Sequence, residues 1–380
     1  MELSDYRQKI DEIDARLVKL FQERMDVSGE IAAVKGEMKL PVFDPARERE
    51  KLKQVGEMVP HALRGYTERL YTMLFELSRA RQLAENPKES GLQQKIAAAI
   101  MNTQPLFPPR AMVAVQGVEG ANSQSAAEKL FATPDLLFFN SFEGVFSAID
   151  KGLCRFGVLP LENSTAGSVN RVYDLMMAYD FSIVRSVRLK VDHCLLANPG
   201  AEISDIREIV SHEQALAQCE GFIKTLGKVK VTRCENTALA AKMVYESGRN
   251  DLAALSSLSC AELYSLNCLK SSVQDSGSNY TRFICISKDL EIYPGSDRTS
   301  IMMALPHKPG SLYHALGRFY ALGINLNKLE SRPIAGSDFE FMFYFDLETS
   351  VYSDEFMQMF KDIEGLGAQF KYLGSYTEVG

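Results

Sequence analysis

Residues 3–41 spell LSDYRQKIDEIDARLVKLFQERMDVSGEIAAVKGEMKLP and contain the pattern of one long amphipathic helix. Apolar side chains occupy positions 3, 6, 10, 13, 17, 20, 27, 31 and 34, a heptad-like spacing that defines an apolar seam on one helix face. Pro41 ends the pattern, since proline lacks the N–H that a continuing helix needs. Position 24 falls on the seam and is an arginine. The stretch predicts a long helix with one charge inside its apolar face.

Two shorter helices follow. Asp44 and Pro45 form the signature of an N-cap followed by proline at the first helical position, and they open a helix near 45–58. A third helix is predicted over about 61–85, and its apolar stripe consists of Leu63, Tyr66, Leu70, Leu74 and Leu77. Three helices with one very long member cannot readily close a core alone. We therefore expect this all-α block, residues 1–88, to dimerise through the seam.

The rest of the chain divides into a connecting segment and two further blocks. Residues 89–109 contain a glycine and three prolines around a short apolar helical stretch, which is typical of a linker. Residues 110–288 alternate short apolar runs with helical segments and predict an α/β domain. The runs lie near 112–115, 136–139, 154–159, 191–196, 206–210, 229–232, 252–255 and 282–286. Residues 298–380 follow the order β-α-β-β-α-β of an α+β ferredoxin-like fold, with helices at 312–322 and 354–363.

Composition limits the possible functions. The chain has 380 residues, 46% of them hydrophobic, which is enough for several buried cores. A formal net charge of −7 gives no basic footprint for a nucleic acid, and no run of about 18 apolar residues suggests a membrane span. The start, MELSD, lacks the layout of a signal peptide, so we expect a cytoplasmic protein. Seven cysteines without a C-x-x-C pair and five scattered histidines suggest reduced thiols and no metal site.

The cations of the first helix suggest an anion site. Arg24 and Lys35 are eleven residues apart, which places them on the same helix face about 16 Å apart. Both can hold one dianionic ligand, and Ser78 with Gln82 on the third helix would add polar groups. The alternative is an ordinary solvated face, but an unpaired charge within an apolar seam is costly, so Arg24 requires an anion. Arg7 points roughly 100° away and fits a second site better.

The helical block resembles the all-helical chorismate mutases over nearly all of residues 3–84. The segments that carry the resemblance are YRQKIDEID (6–14), QER (22–24), DPARERE (44–50) and LSRARQ (77–82). The implied site comprises Arg7, Arg24, Lys35, Asp44, Arg47, Glu48, Ser78 and Gln82. It would rearrange chorismate to prephenate without a nucleophile, and a partner subunit would donate Arg7.

The same resemblance implies a division of labour among these groups. Arg24, Lys35 and Arg47 would fix the carboxylates of chorismate in its compact conformer. Lys35 and Gln82 would stabilise charge that grows on the ether oxygen, and Glu48 would hold the ring hydroxyl.

Three polar stretches adjoin apolar strands in the α/β block, where loops at sheet ends form ligand clefts. They are LENSTAGS (161–168), SHEQA (211–215) and NYTRF (279–283). Each alone also fits an ordinary turn or helix cap. Gly117 and Gly120 invite a dinucleotide interpretation, but the full G-x-G-x-x-G spacing is missing.

Together and in this order, the three stretches resemble the prephenate dehydratases over about residues 111–287. The resemblance implies two α/β subdomains around a cleft, like the type II periplasmic binding proteins, and conversion of prephenate to phenylpyruvate without a cofactor. Thr281 would donate a proton or a hydrogen bond to the departing hydroxyl. The implied substrate contacts are Glu162, Asn163, Ser164, Ser211, Gln214, Arg282 and Phe283. Asn122 and Glu213 depart from the family pattern, in which an aromatic residue and a proline are frequent.

In the last block, KPGSL (308–312) and INLNKLESRP (324–333) resemble the amino-acid-binding ACT domain of these dehydratases. The glycine lets a ligand approach the backbone at a helix N-terminus, which favours a carboxylate. The implied effector is phenylalanine, bound between paired domains at Gly310, Ser311, Leu312, Glu330, Ser331, Arg332 and Pro333. The alternative is a module that only dimerises.

The order of the three blocks resembles the bifunctional chorismate mutase/prephenate dehydratases of phenylalanine biosynthesis. It implies a homodimer or homotetramer that phenylalanine inhibits. Two other interpretations stay open: a non-catalytic sensor, since cleft folds and ACT modules occur in binding proteins, and a dehydratase whose helical block is only a dimerisation arm. The matched residues in two separate blocks favour two active sites.

Overall fold

The computed structural model describes residues 2–38, 40–85, 91–307, 309–334, 340–354, 356–357, 359–360 and 369–380. They form two compact units. The first contains helices α1 (Leu3–Glu37), α2 (Pro45–Glu57) and α3 (His61–Glu85), together with one later helix. The three predicted N-terminal helices are confirmed.

Asp44 begins α2 in the predicted way. Its Oδ1 accepts hydrogen bonds from the backbone N–H groups of Ala46 and Arg47, at 3.1 and 3.0 Å. Pro45 stands in the first turn. The cap satisfies two N–H groups that have no partner inside the helix. Asp44 therefore serves the start of α2.

The apolar seam of α1 is exposed in the single chain. Leu3, Ile10, Leu17 and Ile31 are 67%, 55%, 54% and 42% exposed. Ala32, one residue from Ile31, is buried, so the helix packs its other face within the unit. An exposed apolar stripe of this length is typical of an interaction surface.

Helix α4 (Gly91–Asn102) lies inside the segment predicted as a linker. Its Ile96 and Ala99 are buried, and Phe107 beyond it packs on Phe131 with ring centroids 4.9 Å apart. The segment is therefore largely packed, because its apolar residues recur at helical spacing between the prolines.

The second unit contains a seven-stranded sheet. Its strands are β1 (Met112–Gln116), β2 (Asp135–Phe139), β3 (Phe156–Asn163), β4 (Gly167–Ser168), β5 (Ser182–Lys190), β11 (Tyr280–Ser287) and β16 (Glu378–Val379). The order is β16-β5-β11-β3-β1-β2, with β4 paired to β3. Strand β1 is parallel to β2 and β3, whereas β11 is antiparallel to β3 and β5. The pairing of β11 with β3 sets Thr281 opposite Asn163, so two of the three polar stretches meet.

A five-stranded sheet forms a second lobe of this unit. Its strands are β6 (Cys194–Ala197), β7 (Glu208–His212), β8 (Lys230–Cys234), β9 (Leu252–Ser256) and β10 (Asn267–Lys270), in the order β10-β6-β9-β7-β8. The chain leaves the first lobe after β5 and returns before β11. The two predicted α/β subdomains are present.

Seven helices accompany these two sheets. They are α5 (Asn122–Leu130), α6 (Phe142–Asp150), α7 (Asn170–Ala178), α8 (Glu213–Gln218), α9 (Glu220–Thr225), α10 (Thr237–Ser247) and α11 (Leu258–Leu263). None of the helices in the described part of the chain is long and apolar enough to cross a membrane.

The C-terminal block contributes a four-stranded sheet. Its strands β12 (Arg298–Ala304), β13 (Asn325–Pro333), β14 (Phe341–Glu348) and β15 (Phe370–Tyr376) lie in the order β13-β14-β12-β15, and every neighbouring pair is antiparallel. Helix α12 (Ser311–Ala321) follows β12 and belongs to the first unit. The predicted helix at 354–363 lies partly outside the described residues.

The four-stranded sheet shares a core with the first lobe. Met302, Tyr344 and Leu373 from this sheet pack in one buried cluster with side chains of β3, α6 and α7. At Gly374, φ is +135° and an added Cβ would collide with the carbonyl of Ile183 on β5. The two sheets thus approach to backbone contact, which only glycine permits at this point.

Candidate active sites

A cleft of about 660 Å³ lies in the second unit, between the two lobes. Four of the predicted residues line it: Asn163, Gln214, Thr281 and Phe283. Asn122, one of the two departures from the family pattern, also lines it. The cleft therefore combines loops from both lobes, as the three polar stretches predicted.

The hydroxyl of Thr281 accepts a hydrogen bond from the side-chain amide of Asn163. The Asn163 Nδ2 to Thr281 Oγ1 distance is 2.9 Å, and the same nitrogen lies 2.7 Å from Asn279 Oδ1. Because the Thr281 oxygen accepts this bond, its own proton remains available to a group in the cleft. Hydrogen bonds in such chains polarise one another, so accepting from Asn163 makes the hydroxyl a better donor.

The loop after β3 holds the Asn163 amide in this orientation. Asn163 Oδ1 accepts from the backbone N–H groups of Thr165 and Ala166 at 3.0 and 2.9 Å. This is an Asx-type turn, the local structure that asparagine favours. Since the oxygen is fixed by the turn, the nitrogen must face Thr281.

Gln218 and His193 belong to the cleft but were not predicted from the sequence. Gln218 Nε2 donates to Thr165 Oγ1 at 2.6 Å, and Gln218 Oε1 lies 3.0 Å from His193 Nε2. Burial lowers the pKa of His193, although its bond to Gln218 and the charge of Asp192 oppose this. The side chain is therefore a neutral imidazole at neutral pH. Gln218 follows Gln214 by one helical turn on α8, a spacing that could have pointed to it.

Three predicted substrate contacts serve the loops instead. Ser211 is fully buried, and its hydroxyl donates to the carbonyl of Leu255 at 2.6 Å. Ser164 Oγ donates to the carbonyl of Ser278 at 2.7 Å. Glu162 pairs with Lys328 of β13 at 2.9 Å. The three side chains therefore have partners within the protein, and none of them lines the cleft.

Arg282 also departs from its predicted role. It stands between Thr281 and Phe283 on β11, and since side chains alternate along a strand it faces away from the cleft. Its guanidinium is buried against Asp346 of β14 and lies 3.0 Å from the Tyr376 hydroxyl. Burial by itself lowers the pKa of Arg282, but Tyr376 and Asp346 outweigh it and raise the pKa. Arg282 is therefore a fixed cation between two sheets.

A second candidate site lies among the three N-terminal helices. Arg24 of α1 reaches α3, where its Nη1 donates to the carbonyl of Leu74 at 3.0 Å and to the hydroxyl of Ser78. Its guanidinium lies over the Phe75 ring, 5.9 Å from the centroid. Among the described residues, no carboxylate lies within ion-pair distance of Arg24. Burial lowers the pKa of Arg24, as expected for a half-buried cation without an anionic partner.

Other predicted mutase residues are placed around this contact. Gln82 is buried one helical turn after Ser78, and its Oε1 has no hydrogen-bond partner among the described residues. Lys35 Nζ donates to the carbonyl of Val42 at 2.7 Å. Glu48 pairs with Arg79, a cation that the sequence analysis missed. A buried amide oxygen without a partner, one helical turn from the residue that Arg24 contacts, is typical of a polar ligand site.

Two predicted cations are not brought to this contact. Arg47 is exposed and pairs with Glu50 at 3.0 Å, and Arg7 is exposed far along α1. For Arg7 this placement fits the expectation that it serves a second copy of the site.

The predicted effector residues fall into two groups. Gly310, at φ +88°, precedes α12 and lines a cavity of about 640 Å³ with Arg69 and Met73 of α3. His314 lies on its wall, with Nδ1 3.2 Å from Glu76. Ser311 and Leu312 begin α12 beside this cavity.

The other group lies on β13. Glu330 accepts a hydrogen bond from Ser168, and Arg332 makes a bidentate pair with Asp174 of α7 at 2.9 and 3.0 Å. The neighbouring Ser331 and Pro333 complete the strand segment. These side chains tie the four-stranded sheet to the first lobe.

Two family models match the chain. The model described as prephenate dehydratase matches residues 113–291, the two lobes around the cleft. The model described as chorismate mutase type II matches residues 6–83, the three N-terminal helices.

Curated relatives and a solved structure are also similar. The bifunctional chorismate mutase/prephenate dehydratase of Aquifex aeolicus is 31% identical, over 99% of this chain and 98% of the relative. Arogenate dehydratase/prephenate dehydratase 2 of Arabidopsis thaliana is 39% identical, over 70% of this chain and 73% of the relative. The structure of a prephenate dehydratase from Arthrobacter aurescens in complex with L-Phe is 25% identical, with a TM-score of 0.63, and the match covers 70% of this chain and 90% of that one.

Proposed function

Because the chain belongs to the family of bifunctional chorismate mutase/prephenate dehydratases, we propose that the Arg24 site and the Thr281 cleft are its two catalytic centres. The enzyme rearranges chorismate to prephenate and converts prephenate to phenylpyruvate. The observation that carries the assignment of the cleft is the hydrogen bond from Asn163 to Thr281.

In the mutase reaction the protein positions chorismate and stabilises the transition state. Arg24 and Lys35 bind the carboxylates, which supplies the negative charge that half-buried Arg24 lacks. The side-chain amide nitrogen of Gln82, rather than its unpaired Oε1, donates a hydrogen bond to the ether oxygen as negative charge grows there. Glu48, held by Arg79, binds the ring hydroxyl. Arg7 enters from a second copy that packs on the exposed seam, which makes the enzyme a homodimer or a homotetramer.

In the dehydratase reaction the bond to the leaving carboxylate breaks, and its electron pair enters the ring. The bond to the ring hydroxyl then breaks, and the departing oxygen takes a proton or a hydrogen bond from Thr281. Carbon dioxide leaves together with hydroxide, or with water if Thr281 gives up its proton and regains one from solvent, and the ring becomes aromatic. Asn163 polarises Thr281 during this step, while Gln214 and Phe283 on the cleft wall orient prephenate.

The four-stranded sheet is the core of an ACT domain. Its order β13-β14-β12-β15 is that of a ferredoxin-like sheet, in which the two middle strands are the first and third of the block. Phenylalanine binds at Gly310 and inhibits the dehydratase. The Arthrobacter structure, a similar protein in complex with L-Phe, supports this effector. The enzyme works in the cytoplasm.

One coupled assay tests the whole proposal. The purified protein is given chorismate alone, and phenylpyruvate is measured with and without phenylalanine. Phenylpyruvate must form, and phenylalanine must lower its rate. If prephenate accumulates and no phenylpyruvate forms, only the mutase assignment survives. If the enzyme converts supplied prephenate but not chorismate, only the dehydratase assignment survives.

A further inference from the structure

We infer that His193 is a positioning residue for the dehydratase reaction, one that acts through Gln218 and Asn163 on Thr281 without touching the reacting atoms. The inference rests on the proposed role of Thr281. It concerns a side chain that lies outside all three polar stretches of the sequence.

The backbone of His193 lies where the chain crosses between the lobes. Its N–H donates to Gln274 Oε1 at 2.9 Å, and its carbonyl accepts from the N–H of Val273 at 2.9 Å. Residues 191–193 and 271–279 are the two connections between the sheets, so these bonds join one connection to the other. His193 as a whole is only 4% exposed. Its position is therefore fixed by both connections.

The imidazole donates to Gln218 rather than accepting from it. Gln218 Oε1 accepts from Asn279 Nδ2 at 3.0 Å, so this atom is the carbonyl oxygen of the amide. His193 Nε2 lies 3.0 Å from the same oxygen and must carry a proton, since two acceptors would repel each other. A neutral imidazole with its proton on Nε2 satisfies this geometry. Two donors on one oxygen then prevent the Gln218 amide from flipping.

The orientation of Gln218 is passed on to the Thr281 hydroxyl. With Oε1 held by His193, Gln218 Nε2 must face the loop after β3, where it lies 2.6 Å from Thr165 Oγ1 and 3.5 Å from Asn163 Oδ1. Asn279, whose Nδ2 donates to the same Gln218 oxygen, accepts from Asn163 Nδ2 at 2.7 Å, so the network reinforces the orientation that the Asx turn gives to the Asn163 nitrogen beside Thr281. Gln218 belongs to the second lobe and Asn163 to the first, so the chain also ties the two walls of the cleft together.

The test compares two substitutions at one position in the full-length enzyme. His193→Gln places an N–H donor near the site of Nε2, whereas His193→Leu has a similar volume and no donor. We expect His193→Leu to lower dehydratase kcat roughly tenfold, less than the roughly 10²-fold or more expected for loss of the Thr281 hydroxyl itself, with KM within about twofold. His193→Gln should restore most of kcat. Equal kcat in the two variants, whether high or low, would overturn the inference.

Two further measurements exclude a merely structural effect. The melting temperature of each variant reports the fold of the dehydratase unit, and mutase activity, whose proposed site lies in the other unit, should stay at the wild-type value. In a Gln218→Ala background, His193→Leu should cause no further loss, since residues in one network are not additive. A full additional loss would show that His193 acts by another route and would contradict the inference even if the single variant folds poorly.

The pH profile separates positioning from proton transfer. If His193 only positions Gln218, His193→Gln should keep the wild-type pH dependence of kcat. Loss of one limb of the profile would make His193 an acid or base and would overturn the inference. Thr281→Val tests the proposed function separately: unchanged kcat in that variant removes the role of Thr281 and leaves the comparison at His193 interpretable by itself.

Discussion

The guanidinium of Arg282 is paired with the carboxylate of Asp346, and the two side chains are 5% and 0% exposed. The Tyr376 hydroxyl bridges them, 3.0 Å from Arg282 Nη2 and 3.1 Å from Asp346 Oδ1. Arg282 directly follows Thr281 on β11, whereas Asp346 lies within β14. Strand β11 therefore carries a proposed catalytic hydroxyl on one face and an anchor to the four-stranded sheet on the other.

This buried pair predicts strong thermodynamic coupling. Asp346→Ala should lower the free energy of unfolding by about 1.5–3 kcal/mol, because the buried Arg282 loses its most buried charged partner but keeps Glu378 at 3.0 Å and Glu162 at 3.5 Å. Arg282→Met combined with Asp346→Leu should recover much of this loss. Glu378 also pairs with Arg282. In the double variant its carboxylate loses Arg282 but still has Arg298, which lies 3.2 Å away, as a partner. Denaturant unfolding of the single and double variants measures the coupling, and simple additivity would contradict it.

Thr281 is predicted to be essential for the dehydratase. Thr281→Ala should lower kcat from prephenate by roughly 10²-fold or more, the scale of a positioned proton-transfer group. Thr281→Ser keeps the hydroxyl and should retain much more activity. The neighbouring Tyr280 is 43% exposed, so Tyr280→Phe is a matched control that should behave like wild type. Unchanged turnover in Thr281→Ala would reduce the threonine to a structural neighbour of Arg282.

Arg24 should be needed by the mutase alone. Its guanidinium contacts Leu74 and Ser78 within the helical unit, and the Thr281 cleft lies in the other unit. Arg24→Ala should abolish conversion of chorismate while turnover of supplied prephenate stays close to wild type. Arg16→Ala, an exposed position on the same helix, is the control and should retain both activities. Comparable loss of both activities in a folded Arg24→Ala enzyme would defeat the assignment of two separate sites.

Gly310 should control the response to phenylalanine. Its φ of +88° is unfavourable for a β-branched residue, and an added Cβ would stand 3.3 Å from His314 Nε2 on the cavity wall. Gly310→Val should therefore weaken phenylalanine binding and relieve inhibition. Gly323→Val is a matched control, because Gly323 has φ +68° and no atom within 4 Å of its Cβ position. Calorimetric titration measures phenylalanine binding to wild type and Gly310→Val, and dehydratase assays measure its inhibition. Equal binding in the two proteins would show that the effector site lies elsewhere.

The sequence predicted where helices and strands occur better than it predicted which face of each element lines a site. The apolar periodicity of α1 and the Asp44 cap were sufficient for three helices, but β5 was missed. Its Arg185 and Arg188 interrupt the apolar pattern, and in the folded chain Arg185 stacks on Phe107, 4.1 Å from the ring centroid. A charged side chain whose partner is an aromatic ring far away in the sequence has no local signal.

In the cleft, too, contacts between residues that are distant in the sequence could not be predicted. Alternation along β11 already required Arg282 to face away from Thr281, but which sheet covers that face depends on residues near position 346. Gln218 had a local signal, one turn after Gln214 on α8. His193 had none, because its role depends on a crossing between lobes that brings it to Gln218.

The exposed seam of α1 and the nearby Arg7 should complete the mutase site of a second copy. Arg7 is exposed on α1, and the single chain gives it no place at the Arg24 contact. If a second copy packs on the seam and donates Arg7, Arg7→Ala and Arg24→Ala chains should each be inactive as mutases. After the two variants are mixed, unfolded and refolded together, half of the dimers should be mixed, and each mixed dimer has one intact site.

Mutase activity should therefore return to about a quarter of the wild-type value, as expected for random pairing in a two-fold dimer. The control is Arg7→Ala refolded with an Arg7→Ala/Arg24→Ala double variant, which can form no intact site. Leu17→Glu in the seam should abolish the recovery, since a charge there would be buried by the partner. Absence of recovery in the first mixture, when size-exclusion chromatography shows dimers, would mean that Arg7 does not complete the site of a second copy.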